Sequence, residues 1–139
     1  HYLAANALDN LVTLCSRCHR LTEGARQLRS TLAGLCHVVR HIAPLHLMCD
    51  PRDLGVVGKP SGHMGVPTIY IYDSAPAGLG FSQALFDLEP GLLLRDAANV
   101  VRACKCISGC PSCVGPAGDW SGDVKGQVLR LVDAMLSND

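Results

Sequence analysis

An excess of charge of either sign is what this 139-residue chain most plainly lacks. Twelve acidic and twelve basic side chains cancel to a formal net charge of zero, so no global field draws in nucleic acid, and any such contact has to be local or borrowed from a larger assembly. No apolar run approaches the length of a membrane span, and no secretory signal opens the chain. There is neither a Gly-x4-Gly-Lys-Ser/Thr loop nor an Asp-Glu-x-His box, so the chain does not hydrolyse ATP by those means. Internal repeats and low-complexity tracts are absent too. With a single tryptophan, Trp120, base stacking and a lid over a neighbouring loop are equally open readings.

Cysteine, by contrast, is abundant: the chain has eight. Four of them fall within ten residues, Cys104-Lys-Cys106-Ile-Ser-Gly-Cys110-Pro-Ser-Cys113. Capture of one thiophilic metal ion is the economical explanation of so tight a cluster, because a Cys-x2-Cys turn aims both sulfurs at one point. Gly109 tolerates unusual dihedrals and Pro111 fixes its own φ, which shapes the loop in part before metal arrives. A zinc ion with four thiolates has a closed shell and a net charge of about −2, so the role is structural rather than hydrolytic, and backbone N–H groups and Lys105 can offset the charge. A disulfide pair and an iron–sulfur cluster are the alternatives. Clustered spacing without a signal peptide favours reduced thiols and a cytoplasmic setting. The chain begins at His1 rather than Met, as a fragment of something longer would.

Hydrophobic spacing predicts an α+β fold, with a small sheet packed against several helices and the four-cysteine zinc loop near the C-terminus. Apolar residues at Ala25, Leu28, Leu32, Leu35, Val38, Val39 and Ile42 recur at three and four. They predict a helix from Thr22 to about Ile42, with Thr22 and Glu23 as cap and first-turn acid and Pro44 as its stop. Leu45 to Cys49 and Gly65 to Tyr72 read as strands separated by a glycine-rich loop. Further helices are expected from Leu79 or Gly80 to Leu88, from after Pro90 through Arg102, and from Gly122 to Leu136 with Val124, Val128, Leu131, Val132 and Met135 on one face. Leu28, Leu32, Leu35, Ile69, Ile71, Leu85, Val100, Leu129 and Val132 form the expected core. Cys36 and Cys49 read as small packing residues. His37 and His41 read as a solvated or packed pair rather than metal ligands. Asp50, Arg52 and Asp53 read as an ion pair or Asx turn, and Asp73 as a cap.

The runs Ala43-Pro44-Leu45, Met48 to Gly55, Ile71 to Phe81 and Cys104 to Cys113 together resemble the C-terminal zinc-binding domain of a family of superfamily 2 DNA helicases, the mitomycin repair factor A and Hrq (RecQ4-like) group. The likeness spans about residues 25 to 137. Gly-Cys-Pro-Ser-Cys-Val at 109 to 114 and the Tyr-Asp followed by glycines at 72 to 80 are its most specific parts, and Ala77 departs from the glycine usual in the family. The resemblance implies a noncatalytic domain, here residues 24–139, that follows two RecA-like lobes in cis or trans. The parent is then an ATP-dependent 3′-to-5′ helicase acting in repair or in defence against foreign DNA. Its implied partner is DNA, single-stranded within the parent assembly, with no membrane. Arg95, Arg102 and Lys105, near the zinc loop, are the candidate DNA contacts.

A second resemblance covers residues 1–23. Asn10-Leu11 before Cys15-Ser-Arg-Cys18-His19 is similar to the second half of an HNH-type zinc finger. It implies a half-site at Cys15 and Cys18 that an upstream pair would complete into a second zinc site, and nuclease-like roles for Asn10 and His19. The alternative function is accordingly a nuclease-associated module with an N-terminal metal site.

Overall fold

The computed structural model describes residues 2–5, 9–13, 24–65, 67–74, 78–89, 91–116 and 122–137. Four strands, β1 (Tyr2–Ala5), β2 (Asp9–Thr13), β3 (Leu54–Lys59) and β4 (Thr68–Asp73), make one sheet in the order β1-β2-β4-β3. Every neighbouring pair is antiparallel. The helices are α1 (Ala25–Leu47), α2 (Phe81–Phe86), α3 (Leu92–Ala103) and α4 (Val124–Ser137). Helix α1 lies against β3, α3 and α4, while α2 sits by β1, β2 and β4. The fold is α+β with a small sheet and several helices, as the spacing predicts.

Helix α1 carries the core. Leu28, Leu32, Leu35, Val38, Val39 and Ile42 are buried along it and meet Leu54, Val56, Ile69 and Ile71 from the sheet and Val101, Val128, Leu131, Val132 and Met135 from α3 and α4. Alternation in β3 and β4 follows from the pleat: Val56 stands opposite Ile71 on the helix side, and both are buried. Cys36 is buried within this core, and burial, opposed by the charge of Arg40, pushes its thiol up to about 11. It is a packing residue. Cys49 is half-buried beyond the end of α1, its thiol raised by burial and then by Asp53, Asp50 and Asp73.

Several expectations need correction. Pro44 does not stop α1, which continues to Leu47. A proline within a helix forfeits one i→i−4 bond, but Pro44 is buried, and its carbonyl accepts the N–H groups of both Met48 and Cys49, the latter at 3.1 Å. The helix therefore ends at Met48, left-handed at φ 51°, and Leu45 to Cys49 is helix end and turn rather than strand. At the other end Gly24 is the N-cap residue, without a side-chain cap bond; Thr22 and Glu23 lie outside the described residues. The stretch read as a glycine-rich loop contains β3. Gly55 belongs in that strand because the ring of its cross-strand partner Tyr72 lies over it: a Cβ there would come within 2.1 Å of the ring. On α3 the buried valine is Val101, whereas Val100 is 43% exposed, and Leu129 is only partly buried on α4. On α4 the expected face of Val128, Leu131, Val132 and Met135 is the buried one, so only these two positions depart from the expected core.

Charged turns follow the readings made from sequence. Asp50 accepts bonds from the Arg52 backbone N–H at 2.8 Å, Nε at 3.1 Å and Nη2 at 2.8 Å, and Arg52 holds the Asp50 carboxyl down at about 2. This is an Asx turn and an ion pair at once. Asp73 Oδ2 accepts from the N–H groups of Leu79 at 3.3 Å and Gly80 at 3.2 Å, which anchors the entry to α2. Truncating Leu32 to alanine should cost about 2 to 5 kcal/mol, the range for a buried leucine, and Val100→Ala should stay within about 0.5 kcal/mol. Urea unfolding of both variants checks the assignment, and a costlier loss at Val100 would reverse it.

Candidate metal centre

Helix α3 delivers its last turn directly to the cysteine loop. Cys104 is the C-cap residue in extended conformation, so its side chain leaves the helix at a fixed point. The chain then turns through Gly109 at φ 122°, where a Cβ would come within 2.8 Å of Val114; an L side chain would be strained there in any case. The N–H groups of Cys113 and Val114 both reach the Cys110 carbonyl, at 3.1 and 3.2 Å, closing the Cys-x2-Cys turn. Cys113 and Val114 are buried against the core, and the other three cysteines are half-buried.

The ligand atoms of Cys104, Cys106, Cys110 and Cys113 all lie within 4.8 Å of one another. Cys104 and Cys110 sulfurs are 3.5 Å apart, Cys106 and Cys113 3.5 Å, and Cys110 and Cys113 3.8 Å. A tetrahedron with zinc–sulfur bonds of about 2.3 Å has edges of about 3.8 Å. The cluster fits that ion. The hydrogen bond from Cys104, and then the backbone N–H groups of Ser112 and Cys113, pull the Cys110 thiol down to about 6, while burial pushes Cys113 up to about 12. One sulfur is thus ready to be a thiolate, and another gives up its proton only to something that compensates the charge.

The compensating cation is one that no local sequence signal singles out. Lys125, in the first turn of α4, donates from Nζ to the carbonyls of Cys104 at 2.6 Å and Cys106 at 2.8 Å, and its own N–H reaches the Ser108 carbonyl at 3.1 Å. It latches the helix onto the loop and places a positive charge beside four thiolates. Lys105, expected in that role, is exposed. From α1, His37 bonds to the Pro111 carbonyl; burial first, then the charges of His41 and Arg40, lower its pKa. His41 spends Nδ1 on the His37 carbonyl at 2.7 Å, and the two rings lie 4.4 Å apart, tilted by 46°. They are a packed pair.

The other residues singled out from sequence are scattered. Arg95 pairs with Glu89 at 2.8 Å and Arg102 with Asp133 at 2.9 Å. Asn10 is in the middle of the sheet, in β2 between Ala5 of β1 and Ile71 of β4. Cys15, Cys18, His19 and Trp120 lie outside the described residues.

The MrfA Zn-binding domain family (MZB) matches residues 35–114, a span that contains all four clustered cysteines. This chain belongs to that family. The domain is 34% identical over 113 residues to the uncharacterized ATP-dependent helicase YprA of Bacillus subtilis (strain 168), covering 81% of this chain and 15% of the helicase. Two solved structures are similar. One, the DUF1998 helicase MrfA bound to DNA, superposes with a TM-score of 0.78 at 30% identity over 91% of this chain and 17% of that one. The other, the same helicase bound to DNA and AMPPNP, gives 0.65 at 34% over 78% and 14%. The chain therefore spans less than a fifth of the proteins it matches. As an MrfA-type zinc-binding domain it binds zinc, and among the described residues the four-thiol cluster suits one such ion. Among the described residues no helix is long and apolar enough to cross a membrane.

Purified without chelator, the chain should carry about one equivalent of zinc by elemental analysis. Because Cys113 must lose a proton on binding, affinity should rise with pH and fall as pH drops from 8 to 6. Lys125→Met should weaken retention about 10- to 100-fold, the usual cost of losing an outer-shell partner. Competition with a chromophoric chelator measures both effects; retention unchanged in the lysine variant would leave Lys125 without a role in the site.

Proposed function

We propose that the chain is the noncatalytic accessory domain of an ATP-dependent superfamily 2 DNA helicase of the 3′-to-5′ type. In this reading Cys104, Cys106, Cys110 and Cys113 are the four ligands of its structural zinc, and the domain holds or guides single-stranded DNA beside RecA-like lobes. The observation that carries the reading is the family match over residues 35–114, supported by a relative whose printed name is an ATP-dependent helicase and a similar structure bound to DNA. A four-thiolate site has no open coordination position, which suits stabilisation rather than chemistry at the metal. Residues 24–139 make up the helicase-associated domain, and residues 2–13 lend two strands to its sheet. Repair, or defence against foreign DNA, is the setting we assign to the parent.

The mechanism is one of scaffolding. Cys104, Cys106, Cys110 and Cys113 would hold the zinc, which would pin the loop after α3; Lys125 ties that loop to α4, and both helices pack on α1. Loss of metal then loosens a whole flank of the domain and leaves nucleotide-binding motifs carried elsewhere intact. In the full-length parent, Cys110→Ser should lose most DNA unwinding while nucleotide binding stays within about twofold of the unsubstituted protein. Unwinding and nucleotide titrations on the same preparation, with zinc content measured, decide it. Normal unwinding by a zinc-free variant would remove the accessory-domain reading.

A further inference from the structure

One exposed face of α1 gathers positive charge. Arg26, Arg29, Ala33, His37 and Arg40 follow one another at intervals of three and four, so at 100° per residue they fall in a single stripe about 80° wide. Arg26, Arg29, Ala33 and Arg40 are exposed. Beside the stripe runs an open groove of about 610 Å³ bounded by α1, β3 and the segment leaving the zinc loop. Its walls carry Arg29 and Arg40 above a floor of small and apolar residues such as Ala33, Gly34, Val57 and Gly58, and among the described residues no Asp or Glu lines it.

Arg40 is held in place. The bond from the Ser74 N–H to the Asp53 carbonyl, 2.9 Å, sets the alternation of the β3–β4 ladder, so Val56 and Ile71 form a non-hydrogen-bonded pair and the Val56 carbonyl points away from β4. Arg40 Nη2 donates to that carbonyl at 2.8 Å. The guanidinium keeps its charge and further donors for a ligand. Arg26 and Arg29 have no carboxylate partner among the described residues, unlike Arg95 and Arg102, each already engaged by an acid.

We propose that a DNA strand lays its phosphate backbone along this face of α1, over the groove, with Arg26, Arg29 and Arg40 as its cationic contacts. The inference rests on the DNA-holding reading given above and moves the contact surface from the α3 side to α1. From Arg26 to Arg40 the helix rises about 21 Å, enough for several phosphates spaced about 3.4 Å or more apart. Among the described residues no Phe, Tyr or Trp lines the groove, and the His37 ring there is packed against His41, so recognition is through phosphate, without sequence preference.

The test is fluorescence anisotropy of the zinc-loaded chain with a labelled oligothymidine and, separately, a labelled hairpin duplex, over a range of salt. Arg26 and Arg29 are replaced together by glutamine, sparing Arg40 and its strand contact; Arg95 and Arg102, replaced together, are the control. On single strands the first pair should flatten the slope of log affinity against log salt by about 1.4, at about 0.7 per phosphate contact, and the control pair should leave the slope unchanged. Circular dichroism confirms that each variant is folded. Flattening on the hairpin and not on the oligothymidine would overturn the single-strand assignment. Binding that depends on Arg95 and Arg102 instead, or on neither pair, would overturn the α1 surface while leaving the DNA-holding reading standing. No measurable binding to either DNA would sink both.

Discussion

Along α1, Leu28, Leu32, Leu35, Val39 and Ile42 have to leave water together, and β3 on one flank and α3 and α4 on the other occupy their places because they accomplish this. At about 25 cal/mol per Å² of apolar surface buried, contacts of this kind dominate the favourable side of folding. The helix continues through Pro44 for the same reason: the ring is buried, and packing outweighs one lost backbone bond. What remains of the helix surface is free to carry charge.

The metal site is an extension of that core rather than an appendage. Cys113 and Val114 are buried in it, Cys104 is the cap of a core helix, and Lys125 holds two loop carbonyls from another core helix. Four thiolates brought this close repel one another in the absence of a cation. The surrounding structure limits how far they can separate, so the preference for a divalent ion is built in before the ion arrives, and the family match over the same residues accords with it.

Much of this was legible in the chain itself, and the rest was hidden for physical reasons. The four cysteines announce their site because ligand spacing is local. The stripes of α1 and α4 are legible because burial imposes a period of 3.6. Strand β3 was concealed by Gly55 and Gly58, residues that weaken a strand on propensity scales but leave room here for the Tyr72 ring and the Cys36 sulfur. Val100 and Val101 are adjacent and chemically identical, so only packing distinguishes them. Lys125 lies twelve positions beyond the last clustered cysteine, and nothing local marks it as a partner of the loop. The arginines of α1 form no motif of their own: their spacing shows only that they share a face, and the groove beside them is assembled by β3 and the segment leaving the zinc loop.

The bond from Arg40 to the outward carbonyl of Val56 has another result. A border strand with vacant carbonyls is a template for pairing with another chain, and β3 is apolar enough, Leu-Gly-Val-Val-Gly, to be an inviting one. The guanidinium fills one of these vacancies and adds a charge that a second strand would have to desolvate. Arg40 is thus a charged guard of the kind that blunts an exposed strand edge against pairing with another copy.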